Sequence, residues 1–308
     1  MNIHHHTHNV KSQEKSEKTL VILFGEFRGN DASWKNMVSN LITPYNADLA
    51  LCIGYKDEHH LPPLNPLTEI AKYHWNFKEP KAWCDYLEKW FDESTEIPTK
   101  WWKENVRYGI YGGGGTDGLI PMIFQHHIYH NYLHVLNQYD RIILTRPDMY
   151  FVRPYPILSS EHVWIPNGED HGGLYDRLII FPPKYAKECL TVLDFMNTQS
   201  LNLILKKMYK VKDRSLCYIH NTIPVEIGQF NSEIYHKIFY EWNKILYKIK
   251  RSPLLNFLIA VEGNTTKSPQ GIGNTKFKDG LLIRYKNEYI DVVRTQTIFG
   301  DCIDDYIE

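Results

Sequence analysis

Apolar residues in this chain gather in short unbroken runs, and amphipathic stretches separate them. "LVILF" (Leu20 to Phe24) stops at Gly25, "ADLALCIG" covers Ala47 to Gly54, and "RIILT" covers Arg141 to Thr145. Runs without alternation predict strands covered on both faces, as parallel sheets require. Between the first two runs, "NDASWKNMVSNLI" sets Trp34, Met37 and Leu41 at helical spacing behind a capping Asp31 or Ser33. This β-α-β opening predicts a parallel pair with a right-handed crossover. Ile120, Ile123, Phe124, Ile128, Tyr132, Val135 and Leu136 then recur with a helical period; Pro121 suits the first turn, with Thr116 or Asp117 as cap. The segment "HVWIPNGEDHGGLYDRLIIFPPKYAKECLTVLDFM" predicts a strand, a polar glycine-bearing loop, a strand over Arg177 to Phe181, and a helix. "KAWCDYLEKWFDE" and "EIYHKIFYEWNKILYKI" read as helices, and "GLLIRYK" and "YIDVVRT" as late strands. Neither an internal repeat nor a low-complexity linker interrupts this order, which predicts a single α/β domain with an elaborated C-terminal part.

Composition narrows the picture. With 43% hydrophobic residues in 308, the chain can bury a sizeable core. Lys+Arg 35 against Asp+Glu 36 argues against broad attraction to nucleic acid or to an anionic membrane, leaving at most peripheral membrane association. The longest apolar candidate, "PLLNFLIAV", is too short for a span, so the expectation is a soluble protein. The 5 cysteines are dispersed, with no CxxC pair, which fits free thiols in a reducing cytoplasm rather than a disulfide framework or zinc site. The opening "MNIHHHTHNVKSQEKSEK" lacks a signal-peptide core and reads as a disordered tail or tag over residues 1–18. "NTT" at Asn264 would be a glycosylation acceptor only in a secreted protein.

Four stretches offer chemistry. In "TRPD", Asp148 follows an apolar strand, where open α/β sheets bind ligands. Its carboxylate suits a Mg²⁺ or Mn²⁺ ion that also holds phosphate oxygens. Pro147 fixes the approach of the aspartate, and Arg146 is placed to meet phosphate or to buttress Asp148. The plainer alternative is an Arg-Pro-Asp turn. In "LFGEFRG", Gly25 lets backbone approach a ligand, and Phe24, Glu26 and Arg28 flank it. "YGGGGTDG", with Gly115 and Thr116, reads either as an anion-binding nest at a helix start or as a plain connector. The loop "NGEDHGGLYDR" holds Glu169, Asp170 and Asp176 as candidate general bases and His171 as a candidate ligand; solvated hairpin charges are the alternative. "HHIYH" places His126 and His130 on one helix face with His127 off it; without HExxH, helix packing is the expected role.

"YDRIILTRPDMYF" resembles the YDR-F/I-I-I-T-R-x-D block of a group of bacterial and viral GT-A-type glycosyltransferases that includes lipopolysaccharide-synthesis-type proteins. The order "LFGEFRG…W", a G-T-x-G stretch, the Arg-x-Asp block and "P-x-G-x-D-x-G-G…DR" is also similar, over roughly residues 19 to 185. The C-terminal third matches only through "GLLIRY". The resemblance implies a GT-A-like fold with one Rossmann-type mixed sheet, a nucleotide-binding half over 19–150 and an acceptor-binding half over 151–308. Asp148 would match the last aspartate of a DxD-like metal motif, although Arg146 stands at its first position. Asp176 would match the aspartate of the "DR" landmark.

The function implied is transfer of a sugar from a nucleotide-diphosphate sugar to a glycan or lipid-linked acceptor in surface polysaccharide or lipopolysaccharide synthesis, with Mn²⁺ or Mg²⁺ as cofactor. Two alternatives stand beside it. A sugar-phosphate nucleotidyltransferase would use the same sheet end, but "FGEFRG" offers it only Arg28. A non-catalytic glycan- or nucleotide-binding protein would use Trp101 and Trp102 as a stacking platform.

Overall fold

The structure is a computed structural model that describes residues 17–56, 64–81, 83, 120–168, 170, 173–195, 232–261, 275–277 and 281–299. The histidine-rich opening, Trp101, Trp102, Gly115, Thr116, Glu169, His171, Asn264 and the helix expected at "KAWCDYLEKWFDE" (Lys81 and Trp83 apart) lie outside these.

In chain order the first elements are β1 (Thr19–Gly25), α1 (Asp31–Met37), β2 (Asp48–Tyr55), α2 (Pro66–Ile70), β3 (Tyr73–Lys78) and α3 (Ile120–Leu136). Next come β4 (Arg141–Thr145), β5 (Met149–Phe151), β6 (Val163–Pro166), β7 (Leu178–Phe181), α4 (Ala186–Leu190) and α5 (Val192–Phe195). The last are α6 (Ser232–Trp242), β8 (Ile249–Ser252), β9 (Asn256–Val261), β10 (Thr275–Lys276), β11 (Leu281–Ile283) and α7 (Lys286–Phe299).

The main sheet has seven strands in the order β3-β2-β1-β4-β7-β6-β8. β1 runs parallel to β2 and β4, and β2 parallel to β3; β7 is antiparallel to β4 and β6. This is the expected α/β architecture, a mixed sheet flanked by helices. The unbroken apolar runs lie at its centre: Leu20, Val21, Ile22, Leu23, Ile142 and Ile143 are fully buried. Edge strand β3 instead alternates, turning Trp75 and Phe77 inward. α3 covers this face: Trp75 stacks on Tyr132 at 4.2 Å between ring centroids, and Phe77 meets Phe124 at 4.7 Å.

The C-terminal elaboration contributes a second sheet in the order β10-β11-β9-β5. The run "PLLNFLIAV" supplies β9, paired by antiparallel β11 and β5. Successive Phe257, Leu258 and Ile259 are all buried, so both of its faces are covered, which accounts for its continuous apolar character. α1 braces this sheet from the first half of the chain: Asn36 accepts from Phe151 N at 2.8 Å and donates to Phe151 O at 2.9 Å. Among the described residues no helix is long and apolar enough to cross a membrane.

Three local expectations are corrected. The cap of α1 is Asn30, in a reciprocal box: its Oδ1 accepts from Ser33 N at 3.1 Å, and Ser33 Oγ accepts from Asn30 N at 3.0 Å. α6 ends at Trp242, because Lys244 takes a positive φ of 58° and the chain turns into β8. "YIDVVRT", rich in β-branched residues, is helical within α7. Its strand slot is already filled, since β11 pairs with β9 and β10, while Glu288 and Val292, one helical turn apart, are fully buried. Packing overrides β-propensity here.

Candidate functional site

The strand order reverses beside β1: β2 and β3 extend to one side, and β4 lies on the other. Such a switch point opens a crevice beyond the carboxyl ends of the strands. A cleft of about 520 Å³ lies there, lined by Phe24, Gly25, Glu26, Phe27 and Arg28 after β1 and by Gly54, Tyr55 and Lys56 at the end of β2. Glu79 beyond β3, Trp83, the first turn of α3 (Ile120, Pro121, Phe124), Arg146 after β4 and Arg284 after β11 complete the lining.

The β1 exit is held by local geometry. Gly25 has φ +104°, and a Cβ there would meet nothing within 4 Å, so conformation and not space demands the glycine. Trp34 Nε1 donates to the Arg28 carbonyl at 3.0 Å, fixing "FGEFRG" against α1. Arg28 pairs with Glu26, its Nε donating at 2.8 Å. At the end of β2, a Cβ on Gly54 would lie 2.2 Å from Glu79 Oε1, so the glycine makes room for that carboxylate. Burial pushes the Glu79 carboxyl above its ordinary pKa, and Lys56 and Arg28 pull against it.

Asp148 is 1% exposed. Arg146 grips it in a fork, Nε to Oδ1 at 2.9 Å and Nη2 to Oδ2 at 2.8 Å; Arg284 Nη1 adds a third donor to Oδ2 at 3.2 Å. Burial alone would raise the Asp148 pKa, but the charge and hydrogen bonds of Arg146, followed by the charges of Arg284 and Arg28, hold it below the ordinary value. Both oxygens are thus occupied by guanidinium groups. With two guanidinium cations already paired to this buried carboxylate, Asp148 does not fit a divalent ion. Both arginines of the triad line the cleft: Arg146 and Arg284 keep 24% and 18% of their side chains exposed, and buried Arg284 Nε has no hydrogen-bond partner among the described residues. Groups of this kind match the oxygens of a phosphate or diphosphate.

A second carboxylate network is centred on Glu288 in the first turn of α7. Glu288 is fully buried: Oε1 accepts from Arg177 Nη1 at 2.8 Å and from the Tyr175 hydroxyl at 3.2 Å, and Oε2 accepts from Leu258 N at 2.9 Å. The Tyr285 ring lies close to both arginines, with Arg177 at 5.0 Å and Arg284 at 5.4 Å from its centroid.

Of the residues expected from sequence, the structure brings Phe24, Gly25, Glu26, Arg28 and Arg146 to the cleft, with Asp148 behind Arg146. Asp170 and Asp176 are not among its lining residues. Asp170 closes its own loop, accepting from Tyr175 N at 2.9 Å and from Arg251 Nη2 at 2.6 Å. Asp176 accepts from Ser232 Oγ at the start of α6 at 2.7 Å. Sequence reasoning missed Lys56, Glu79, Arg284 and Glu288. A weak signal existed for Arg284, which sits at the end of "GLLIR", where a strand run meets a charge.

No protein-family model matches the chain, and no curated protein matches it. Among solved structures it is similar to the apo form of mouse xyloside xylosyltransferase 1, at 9% identity and a TM-score of 0.36 over 76% of this chain and 84% of that one. A likeness of that depth carries no argument, and the reading of the site rests on its own geometry.

Proposed function

We propose that the cleft binds a nucleoside-diphosphate sugar and that the protein is a glycosyltransferase. The observation that carries this reading is the pair Arg146 and Arg284, anchored on buried Asp148 with donors to spare at the switch point of the sheet. The diphosphate would lie against these guanidinium groups and the nucleoside against the β1 and β2 exits, where Phe24, Arg28, Lys56 and Glu79 line the wall.

In transfer, the acceptor hydroxyl oxygen forms the new bond to the anomeric carbon as its bond to the diphosphate oxygen breaks. The departing diphosphate takes the electron pair, and its charge grows where the guanidinium groups already stand. Asp148 acts as a positioning residue for those groups. The hydroxyl proton passes to a general base on the acceptor side. For Asp176 of the 169–176 loop to serve, the acceptor must extend beyond the cleft lining to reach it, because neither Asp176 nor Asp170 lines the cleft and Asp170 is also engaged by Arg251 and by Tyr175 N. A glycan or lipid-linked acceptor of surface polysaccharide synthesis and a cytoplasmic setting belong to the same reading; the buried free thiols of Cys52 and Cys189 agree with the latter.

The test is thermal stabilisation by UDP-, GDP- and dTDP-sugars, with a CMP-sugar as the monophosphate control, followed by donor turnover with and without a glycan acceptor. Stabilisation confined to diphosphate donors, together with sugar release, is expected. Turnover of nucleoside triphosphate with sugar phosphate would replace this reading with a nucleotidyltransferase. Oligosaccharide binding without donor hydrolysis would replace it with a non-catalytic binder.

A further inference from the structure

One side-chain cluster lies away from the arginine cleft. His126 and His130 stand one turn apart on α3, so their imidazoles share a face, with ring centroids 4.2 Å apart. Asp194 reaches them from α5, its Oδ1 at 2.6 Å from His126 Nδ1 and its Oδ2 at 3.0 Å from His130 Nε2. All three candidate ligand atoms lie within 4.8 Å of one another. None of the three residues lines the cleft.

Two hydrogen bonds alone would make this a link between helices, but three features exceed what such a link needs. The ligand atoms form one compact group, both imidazoles turn a ring nitrogen to the same carboxylate, and solvent reaches it. His130 is 47% and Asp194 35% exposed, so an ion has a way in. Two imidazole nitrogens and one carboxylate oxygen form a borderline donor set, suited to Zn²⁺ or Co²⁺ and poor for Mg²⁺ or Ca²⁺. Bonds of about 2.0–2.2 Å in tetrahedral geometry put donor atoms about 3.3 Å apart. The His126–Asp194 and His130–Asp194 separations of 2.6 and 3.0 Å fall short of that spacing by less than about 1 Å, and no pair of ligand atoms exceeds 4.8 Å.

We infer that His126, His130 and Asp194 form a three-ligand site for a divalent transition metal of the Zn²⁺ class, with water in the fourth position. Each imidazole would present its lone pair to the ion and carry its proton on the other ring nitrogen; an imidazolium would first release a proton to solvent. The ion would clip α3 to α5. Because the first turn of α3 lines the cleft through Ile120, Pro121 and Phe124, the clip would also steady one cleft wall. Sequence spacing could not show this site, since the third ligand lies 64 residues beyond His130.

The test uses the full chain with His4, His5, His6 and His8 changed to Ala, which removes competing imidazoles from the N-terminus. After chelator treatment the protein is titrated with Co²⁺ and followed by visible absorption, then by Zn²⁺ displacement and thermal melting. One equivalent of Co²⁺ with tetrahedral-type bands, displaced by Zn²⁺ and accompanied by a raised melting temperature, is expected. His130→Gln, an exposed position that leaves the fold intact, should weaken binding at least ~10-fold, as should Asp194→Asn, by loss of a direct ligand. His134→Gln, on the same helix but outside the cluster, should bind as the parent does. No bound Co²⁺ in excess metal, or binding equal in parent and His130→Gln, would overturn the site. Donor binding in the cleft is a separate readout, so failure here leaves the proposed function standing, and the reverse holds too.

Discussion

Two buried carboxylates, Asp148 and Glu288, use arginine differently. Glu288 is wholly enclosed, and its acceptors are taken up by Arg177, Tyr175 and the backbone of β9. Neither Glu288 nor Arg177 lines the cleft. Asp148 is equally buried, yet its two arginines line the cleft, and Arg284 Nε has no hydrogen-bond partner among the described residues. A buried ion pair by itself is weak evidence of either stability or function. What separates the two sites is the direction of the unused hydrogen-bonding capacity.

The largest expected effect breaks the structural member. Glu288→Ala strands Arg177 and removes three hydrogen bonds, so a loss of about 3–5 kcal/mol is expected in urea or thermal unfolding. Stability retained within 1 kcal/mol of the parent (about 0.5 kcal/mol being usual for surface changes) would remove Glu288 from its role as anchor. Arg284→Ala should reverse the balance. Asp148 keeps its bidentate partner Arg146, so unfolding changes less than in Glu288→Ala, while nucleoside-diphosphate affinity falls about 10-fold or more. Equal losses in both assays would make Arg284 a purely structural residue.

The pH response sharpens the contrast. Asp148 is held below its ordinary pKa in the folded state, so its contribution is complete above the unfolded value of about 3.9 and is lost as pH falls through the folded value. Asp148→Asn should flatten that acid limb of stability while lowering stability near neutral pH. A limb of unchanged steepness would show that other carboxylates set it. The smallest effect belongs to the cleft wall: Trp34→Phe deletes the hydrogen bond to the Arg28 carbonyl, for about 1 kcal/mol, and should weaken donor binding only slightly.

What was legible in the sequence followed from local pattern. The apolar runs of β1, β2 and β4 and the period of α3 report burial directly, because their neighbours cover them evenly. Gly25, Arg28 and Arg146 were legible as strand-end residues. The missing parts depend on long-range pairing. Arg284 meets Asp148 across 136 positions, and Glu288 meets Arg177 across 111. α7 was misread for a related reason: its β-branched residues suit a strand, but whether a strand slot is free depends on how the second sheet pairs.

The central claim is that guanidinium groups anchored on Asp148 receive a diphosphate. Isothermal titration of UDP and GDP into the full chain in excess EDTA tests it most directly, with Arg146→Ala and Arg284→Ala measured alongside. At least one of these nucleotides should bind without added metal, and each substitution should weaken that binding about 10-fold or more. Binding that appears only with Mn²⁺ or Mg²⁺ and is indifferent to both substitutions would contradict it.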